Sequence, residues 1–205
     1  MARPASRTGT PKRREDNARE TRDALVGAGL ELFSKRGYAG VGTEEIVKRA
    51  RVTRGALYHH FADKRDLFRA VHERVEEELV ADIAAQMEGL SSDPWELMVA
   101  GTRAFLDACT DPAVKQVGLI DAPAVLGWAE WREIDERYGL GLMKAALGGA
   151  MDAGVLRPAP LDTLSHLMLG ALSQAAFLIA NASDPAAARE EAETALLELL
   201  QGLRA

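Results

Sequence analysis

The chain has 205 residues, 47% of them apolar and 5% aromatic, with a formal net charge of −6 at pH 7. It contains no run of about 18 apolar residues and no apolar segment behind its basic N-terminus, so neither a membrane span nor a secretory signal is expected. Cys109 is the single cysteine, which rules out an internal disulfide and points to a reducing cytoplasm.

The charge is unevenly placed. Residues 1–65 carry 15 Lys and Arg against 8 Asp and Glu, a balance of +7, while residues 66–205 carry the remaining 10 against 23, a balance of −13. One end attracts phosphate and the other repels it, so contact with a nucleic acid is expected from the first 65 residues only.

Residues 1–18 hold Pro4, Gly9, Pro11 and the run Lys12-Arg13-Arg14, with almost nothing apolar. This composition predicts a disordered basic arm. Such an arm either touches phosphates or the minor groove, or is a solvated tail; the sequence leaves both readings open. A first helix is predicted from about Arg19 to Arg36, with Leu25, Ala28, Leu32 and Phe33 at helical spacing and Gly37 closing it.

Thr43 to Lys64 reads as two short helices joined by a tight turn. Thr43 is the expected N-cap of the first, with Glu44 and Glu45 complementing the helix dipole and Ile46, Val47 and Ala50 forming an apolar side. Arg51-Val52-Thr53 makes the turn, and Thr53 caps the second helix. Leu57 and Phe61 lie four apart and point to a core. Gly55, Ala56, Tyr58 and His59 then face outward, and Arg54 reaches out from the N-terminal end. Gly55 costs the helix about 1 kcal/mol relative to Ala, so the helix is not built for its own stability, and small residues at its start let its backbone come close to another surface. A helix-turn-helix with its second helix in the major groove has these features.

Asp63 caps the next helix, with Asp66 as the third residue of a capping box. Leu67, Phe68, Val71, Val75 and Leu79 stripe one side of it, and Glu73, Glu76, Glu77 and Glu78 are assigned to the solvated side. The helix reaches about Met87 and links the positive region to the negative one. Three Asp-Pro pairs, Asp93-Pro94, Asp111-Pro112 and Asp184-Pro185, are helix starts, and a further start lies near Pro160. Helices are predicted near 94–109, 112–126, 129–153, 160–181 and 185–204, with nothing suggesting a sheet. The last two have small residues (Gly170, Ala171, Ala175, Ala176) and an apolar 3–4 pattern (Ala188, Ala192, Leu196, Leu199, Leu203). They either form a four-helix bundle with a second chain, the favoured reading for a helix-turn-helix that must reach two half-sites, or pack within one subunit.

No catalytic motif is found: there is no G-x-S-x-G, no H-E-x-x-H, no phosphate-cradling glycine loop and no cysteine pair. No enzyme activity and no cofactor are expected. His59 and His60 are adjacent, hence about 100° apart on a helix, and do not suit one metal ion. Trp128 and Trp131 lie three apart. With Met98, Phe105, Met143 and Met168 they could line an apolar cavity oriented by Arg103, Asp107 or Gln174, the alternative being plain core.

Thr43, Ile46, Ala50, Val52-Thr53, Gly55, Leu57-Tyr58, His60-Phe61, Lys64 and Leu67, with Ala28, Leu32-Phe33 and Gly37-Tyr38 upstream, resemble the DNA-binding signature of the TetR family of bacterial transcriptional regulators. Arg51 stands where a glycine is common in that turn, and Glu44 where a neutral or basic residue is common. The resemblance implies an all-α fold of a three-helix DNA-binding domain (19–65) and a larger helical ligand-binding and dimerisation domain (66–205). It implies contacts to double-stranded DNA, a pseudo-palindromic operator, from Thr43, Thr53, Arg54, Gly55, Ala56, Tyr58, His59 and Lys64. Tyr58 and Lys64 would take phosphates. It also implies a ligand pocket and a dimer surface in the C-terminal helices; the homodimer is expected through about 160–204, and the residues above place a small-molecule effector near Met98, Arg103, Phe105, Trp128, Trp131, Met143 and Gln174. The expected function is a cytoplasmic repressor released by its ligand, with a ligand-independent architectural DNA-binding protein as the alternative.

Overall fold

A computed structural model describes residues 11–205, and all their regular structure is helical. The order is α1 (Pro11–Arg36), α2 (Thr43–Ala50), α3 (Arg54–His60), α4 (Lys64–Met87), α5 (Pro94–Ala108), a π-helical segment (Val114–Asp121), α6 (Ala122–Leu126), α7 (Trp128–Asp152), α8 (Leu161–Asn181) and α9 (Pro185–Gln201).

The helix starts follow the capping chemistry. Thr53 accepts the Ala56 amide at 3.2 Å, Asp63 the Asp66 amide at 2.8 Å and Asp93 the Trp95 amide at 2.9 Å. Asp184 accepts both Ala186 and Ala187. The Asp66 carboxylate reaches back to the Ala62 amide at 3.0 Å, completing the box at the start of α4.

Three local expectations are corrected. First, α1 begins at Pro11, so residues 11–18 are helical rather than a disordered arm; residues 1–10 of that arm lie outside the described residues. Proline suits a first helical position, and the Lys, Arg, Glu and Ala that follow are good helix formers. Second, Gly42, not Thr43, is the N-cap of α2: Gly42 is extended (φ −96°, ψ 154°) and Thr43 is already helical. Third, the helix expected over 112–126 is π-helical through Val114–Asp121. Asp111 starts it by accepting the amides of Ala113 (2.7 Å) and Val114 (3.3 Å). A run this short does not separate a 3.6-residue period from a wider one.

Arg51 ends α2 in the left-handed region (φ 56°, ψ 37°), the only non-glycine there among the described residues. The conformation costs an L-residue about 1–2 kcal/mol. The turn keeps it because the Arg51 and Val52 amides return to the Lys48 and Val47 carbonyls.

One hydrophobic core runs through the head and on into the body. Leu25, Phe33, Ile46 and Leu57 of α1–α3, with Phe61 just after α3, join Leu67, Phe68 and Val71 of α4, and beyond them Val117, Leu126, Trp131 and Ile134. Phe33, Tyr38 and Phe68 stack at its centre with ring centroids 5.1–5.8 Å apart. α4 therefore belongs to both parts. Its second half, with α5, α7, α8 and α9, builds the body around two smaller clusters, one at Leu106, Ala176 and Leu196 and one at Met98, Leu147 and Leu200. α8 is long and apolar enough by composition to cross a membrane. Here it packs between α7 and α9, with Ser165 and Ser173 bonded back to their own helix.

Candidate functional site

The head presents a short, exposed helical edge. Leu57 is fully buried and Phe61 nearly so, which fixes the rotation of α3 and turns Arg54, Gly55, Tyr58 and His59 to solvent, with Ala56 half-covered. Tyr58 is 45% exposed, a large aromatic left outside the core. The Arg54 guanidinium lies 5.6 Å from the Tyr58 ring and 3.5 Å from the Glu44 carboxylate. Glu44, at the start of α2, thus stands beside Arg54 in an exposed ion pair. A Cβ placed on Gly55 would meet nothing closer than Thr53 Oγ1 at 3.9 Å. Nothing inside the protein demands glycine there, so the demand comes from outside or not at all. Thr43 is half-covered at the start of α2, and Thr53 is exposed and engaged as the α3 cap.

Lys64, expected either as a phosphate anchor or as a solvated lysine, makes contacts inside the protein. Its ammonium donates to the Tyr38 carbonyl at 2.6 Å and sits 3.9 Å from that ring. Burial lowers its pKa, which the Asp121 carboxylate partly offsets. Lys64 joins the start of α4 to the loop after α1.

The head is tied to the body at the same joint. Asp121, the last residue of the π-helical segment, accepts the Tyr38 amide at 2.7 Å. Arg65 donates to the Val125 and Leu126 carbonyls at 3.2 and 3.0 Å and to Glu130 at 2.6 Å, and Arg69 pairs with Glu130 at 2.9 Å. None of these partners was foreseen, because each is about 60–80 residues away along the chain.

The body is hollow. A cavity of about 380 Å³ lies between α4, α5, α7, α8 and α9, within the range of small-ligand sites. Of the expected lining, Met98, Phe105, Met143 and Met168 are there. Arg103, Trp128, Trp131 and Gln174 are not. Arg103 pairs with Glu193 at 2.7 Å on the outer face, and Gln174 is exposed. Trp131 is core: its indole N–H donates to the Gly118 carbonyl at 3.1 Å. Trp128 stacks on it at 4.8 Å and is 61% exposed. Asp107 pairs with Arg189 at 2.5 Å, away from the cavity.

The polar groups in the wall are ones the sequence reading missed: Glu76 of α4, Thr102 of α5 and Asp135 of α7. Glu76 does not belong to the solvated side. Its side chain is 13% exposed, and burial together with the Asp135 charge raises its pKa to about 8. Asp135 is raised to about 6, burial outweighing Arg132 at 2.9 Å and Ser173 at 3.2 Å. One turn before Glu76, His72 is fully buried with neither ring nitrogen hydrogen-bonded, and burial lowers its pKa to about 4. The imidazole is neutral near pH 7. The signal was available: Glu76 shares a helical face with His72, Val80 and Ile83, at spacings of four, four and seven.

Two family models match, one described as bacterial regulatory proteins of the tetR family over residues 25–71, the other as a tetracyclin repressor-like C-terminal domain over residues 95–203. A TetR-family transcriptional regulator from Pectobacterium atrosepticum is similar in structure, with a TM-score of 0.83 and 34% identity, covering 92% of this chain and 96% of that one. The Tn10 TetC protein of Escherichia coli is 26% identical over 156 residues, 76% of this chain and 78% of that protein. RolR, solved in complex with the ligand resorcinol, shares the fold at a TM-score of 0.71 and 21% identity, with 90% and 89% of the two chains covered. These matches are to DNA-binding regulators rather than enzymes, and the chain belongs to the TetR family of bacterial transcriptional regulators.

Proposed function

We propose that the chain is a homodimeric, ligand-released repressor acting in the cytoplasm. The observation that carries this reading is the double membership of α4. Leu67, Phe68 and Val71 lie in the core of the head, and Glu76, Leu79, Val80, Ile83 and Met87 of the same helix line the cavity. A molecule that fits the cavity better with α4 displaced selects that position, and the joint at Tyr38, Lys64, Arg65 and Asp121 carries the displacement to α3. Coupling of about 1–3 kcal/mol is the usual scale for such linkage. The ligand in the RolR complex supports the reading by analogy of fold.

A second copy covers the outer face of α8 and α9. Leu167, Leu178 and Leu199 are each more than half exposed on these two helices, with Gly170 and Ala171 allowing close approach. TetR-family regulators act as dimers, and a twofold pair places two copies of α3 about 34–36 Å apart, one turn of duplex. Tyr58 and His59 then meet the backbone and bases beside Arg54, whose fork suits a guanine edge.

Selection of duplexes from a random pool by the purified protein tests this. The expected product is a near-palindrome bound by two chains and released by at least one compound from a small-molecule library. Enrichment of a single half-site bound by one chain would remove the dimer. An enriched operator that no compound releases would favour the ligand-independent reading.

A further inference from the structure

The cavity wall specifies more than size. Its lining is apolar except for Glu76, Asp135 and Thr102, and no Lys, Arg or His is among the lining residues described. The Thr102 hydroxyl hydrogen is spent on the Met98 carbonyl at 2.9 Å, which leaves its lone pairs for the cavity. All three polar groups therefore offer acceptors once Glu76 is ionised. The two carboxylates are not equivalent. Asp135 is met by Arg132 and Ser173. Glu76 accepts no hydrogen bond among the described residues; His72 Nδ1, one turn away, stands at 3.8 Å, beyond hydrogen-bond range.

We propose that this cavity takes a hydrophobic amine, a mostly apolar molecule with one protonated nitrogen that docks on the unpartnered Glu76 carboxylate beside Asp135. The proposal rests on the effector reading above and narrows it to a chemical class. An ammonium supplies the charge and the donor that the wall lacks. A carboxylate ligand would add a negative charge beside Asp135 and hold Glu76 in its protonated form, in an apolar pocket where charge repulsion is weakly screened. A neutral ligand would leave Glu76 without a charged partner. Burial supports the assignment: it leaves Glu76 protonated near neutral pH in the absence of a cation, and the bound ammonium takes the place of that proton. The other titratable groups around Glu76 are His72 on α4, Asp135 and Tyr138 on α7 and Cys109 at the end of α5. His72 is held neutral, Tyr138 is raised further above 10 and the Cys109 thiol is pushed up to about 12. Of these, only Asp135 also titrates near pH 6.

Three probes with one skeleton test it: 4-phenylbutylamine, 4-phenylbutanol and 4-phenylbutanoate, titrated calorimetrically into the full chain at pH 7 in buffers of different ionisation enthalpy. The amine should bind about 10-fold or more tighter than the alcohol, the scale of a hydrogen bond to a charged group. The butanoate should bind weakest, and amine binding should release protons. Glu76→Gln should bring the amine down to the alcohol's affinity, abolish proton release and leave alcohol binding in place, which also shows that the variant is folded. Asp135→Asn should lower amine affinity less. Equal or tighter binding of the butanoate, an unchanged amine-to-alcohol ratio in Glu76→Gln, or no binding of any probe overturns the proposal. Operator affinity measured with and without the amine separates the two readings. An amine that binds through Glu76 but leaves operator affinity unchanged upholds the ligand class and removes the effector role.

Discussion

The two ends of α4 make a useful comparison. Around its first half, the head is solid: Leu25, Phe33, Leu57, Leu67 and Phe68 are fully buried, and the polar groups that matter point outward from α3. Around its second half, the body encloses empty space, and the polar groups that matter, Glu76 and Asp135, point inward. Both designs sacrifice stability. The head leaves Gly55 in a seven-residue helix, and the body keeps carboxyls and an unpartnered imidazole away from water. Local stability is given up where a binding partner is expected to restore it.

The sharpest way to break the comparison is at the head core. Leu57→Ala should cost about 2–5 kcal/mol and abolish operator binding while the body still binds the proposed amine; loss of both activities together would show that the halves do not fold separately. Arg54→Ala should relax base preference at one operator position, about 1–3 kcal/mol of discrimination, measured by competition between operator variants. Unchanged preference would move base readout elsewhere.

The inward carboxyl is tested through pH. Between the unfolded pKa of 4.5 and the folded pKa of about 8, the folded state holds a proton on Glu76 that the unfolded state lacks, so stability falls as pH rises. His72 has the opposite sign, costing stability as pH falls from 6.5 to about 4. The two oppose each other below pH 6.5, and above it Glu76 acts without His72. Denaturant unfolding should therefore show a loss of about 2 kcal/mol from pH 6.5 to 8, and Glu76→Gln should remove it. A flat profile in the unsubstituted protein would place Glu76 in water.

At the joint, Asp121→Ala leaves the Tyr38 amide without its acceptor. The expected cost is about 1–2 kcal/mol, with faster hydrogen exchange at Tyr38. The smallest effect expected is at Gly55. Ala fits the space there and should stabilise the head by about 0.5–1 kcal/mol, yet weaken operator binding if DNA comes close to that backbone. A variant that is more stable and binds DNA as well would make Gly55 a neutral choice.

The contrast also explains what could be read in advance. The orientation of α3 follows from Leu57 and Phe61 four residues apart, and the Asp-Pro starts from capping within three residues. These are short-range constraints, and they hold. The bond from Lys64 to the Tyr38 carbonyl could not be read, because that partner sits in a different element. Trp128 and Trp131 were assigned to the cavity on spacing, but the Gly118 carbonyl and Phe177 claim that face for the core.

The sequence by itself determined the helices, the turn and outward edge of the DNA-binding head, and the division of charge between the two halves. Each depends on contacts within one or two helical turns or on composition. Only the tertiary structure decided that the face carrying Glu76 lines a void with Asp135, where the cavity opens and how Asp121 and Arg65 bind head to body. The physical reason is that a helix with two apolar faces shows which residues can be buried, while the choice between packing a side chain and lining a void depends on how distant helices cross.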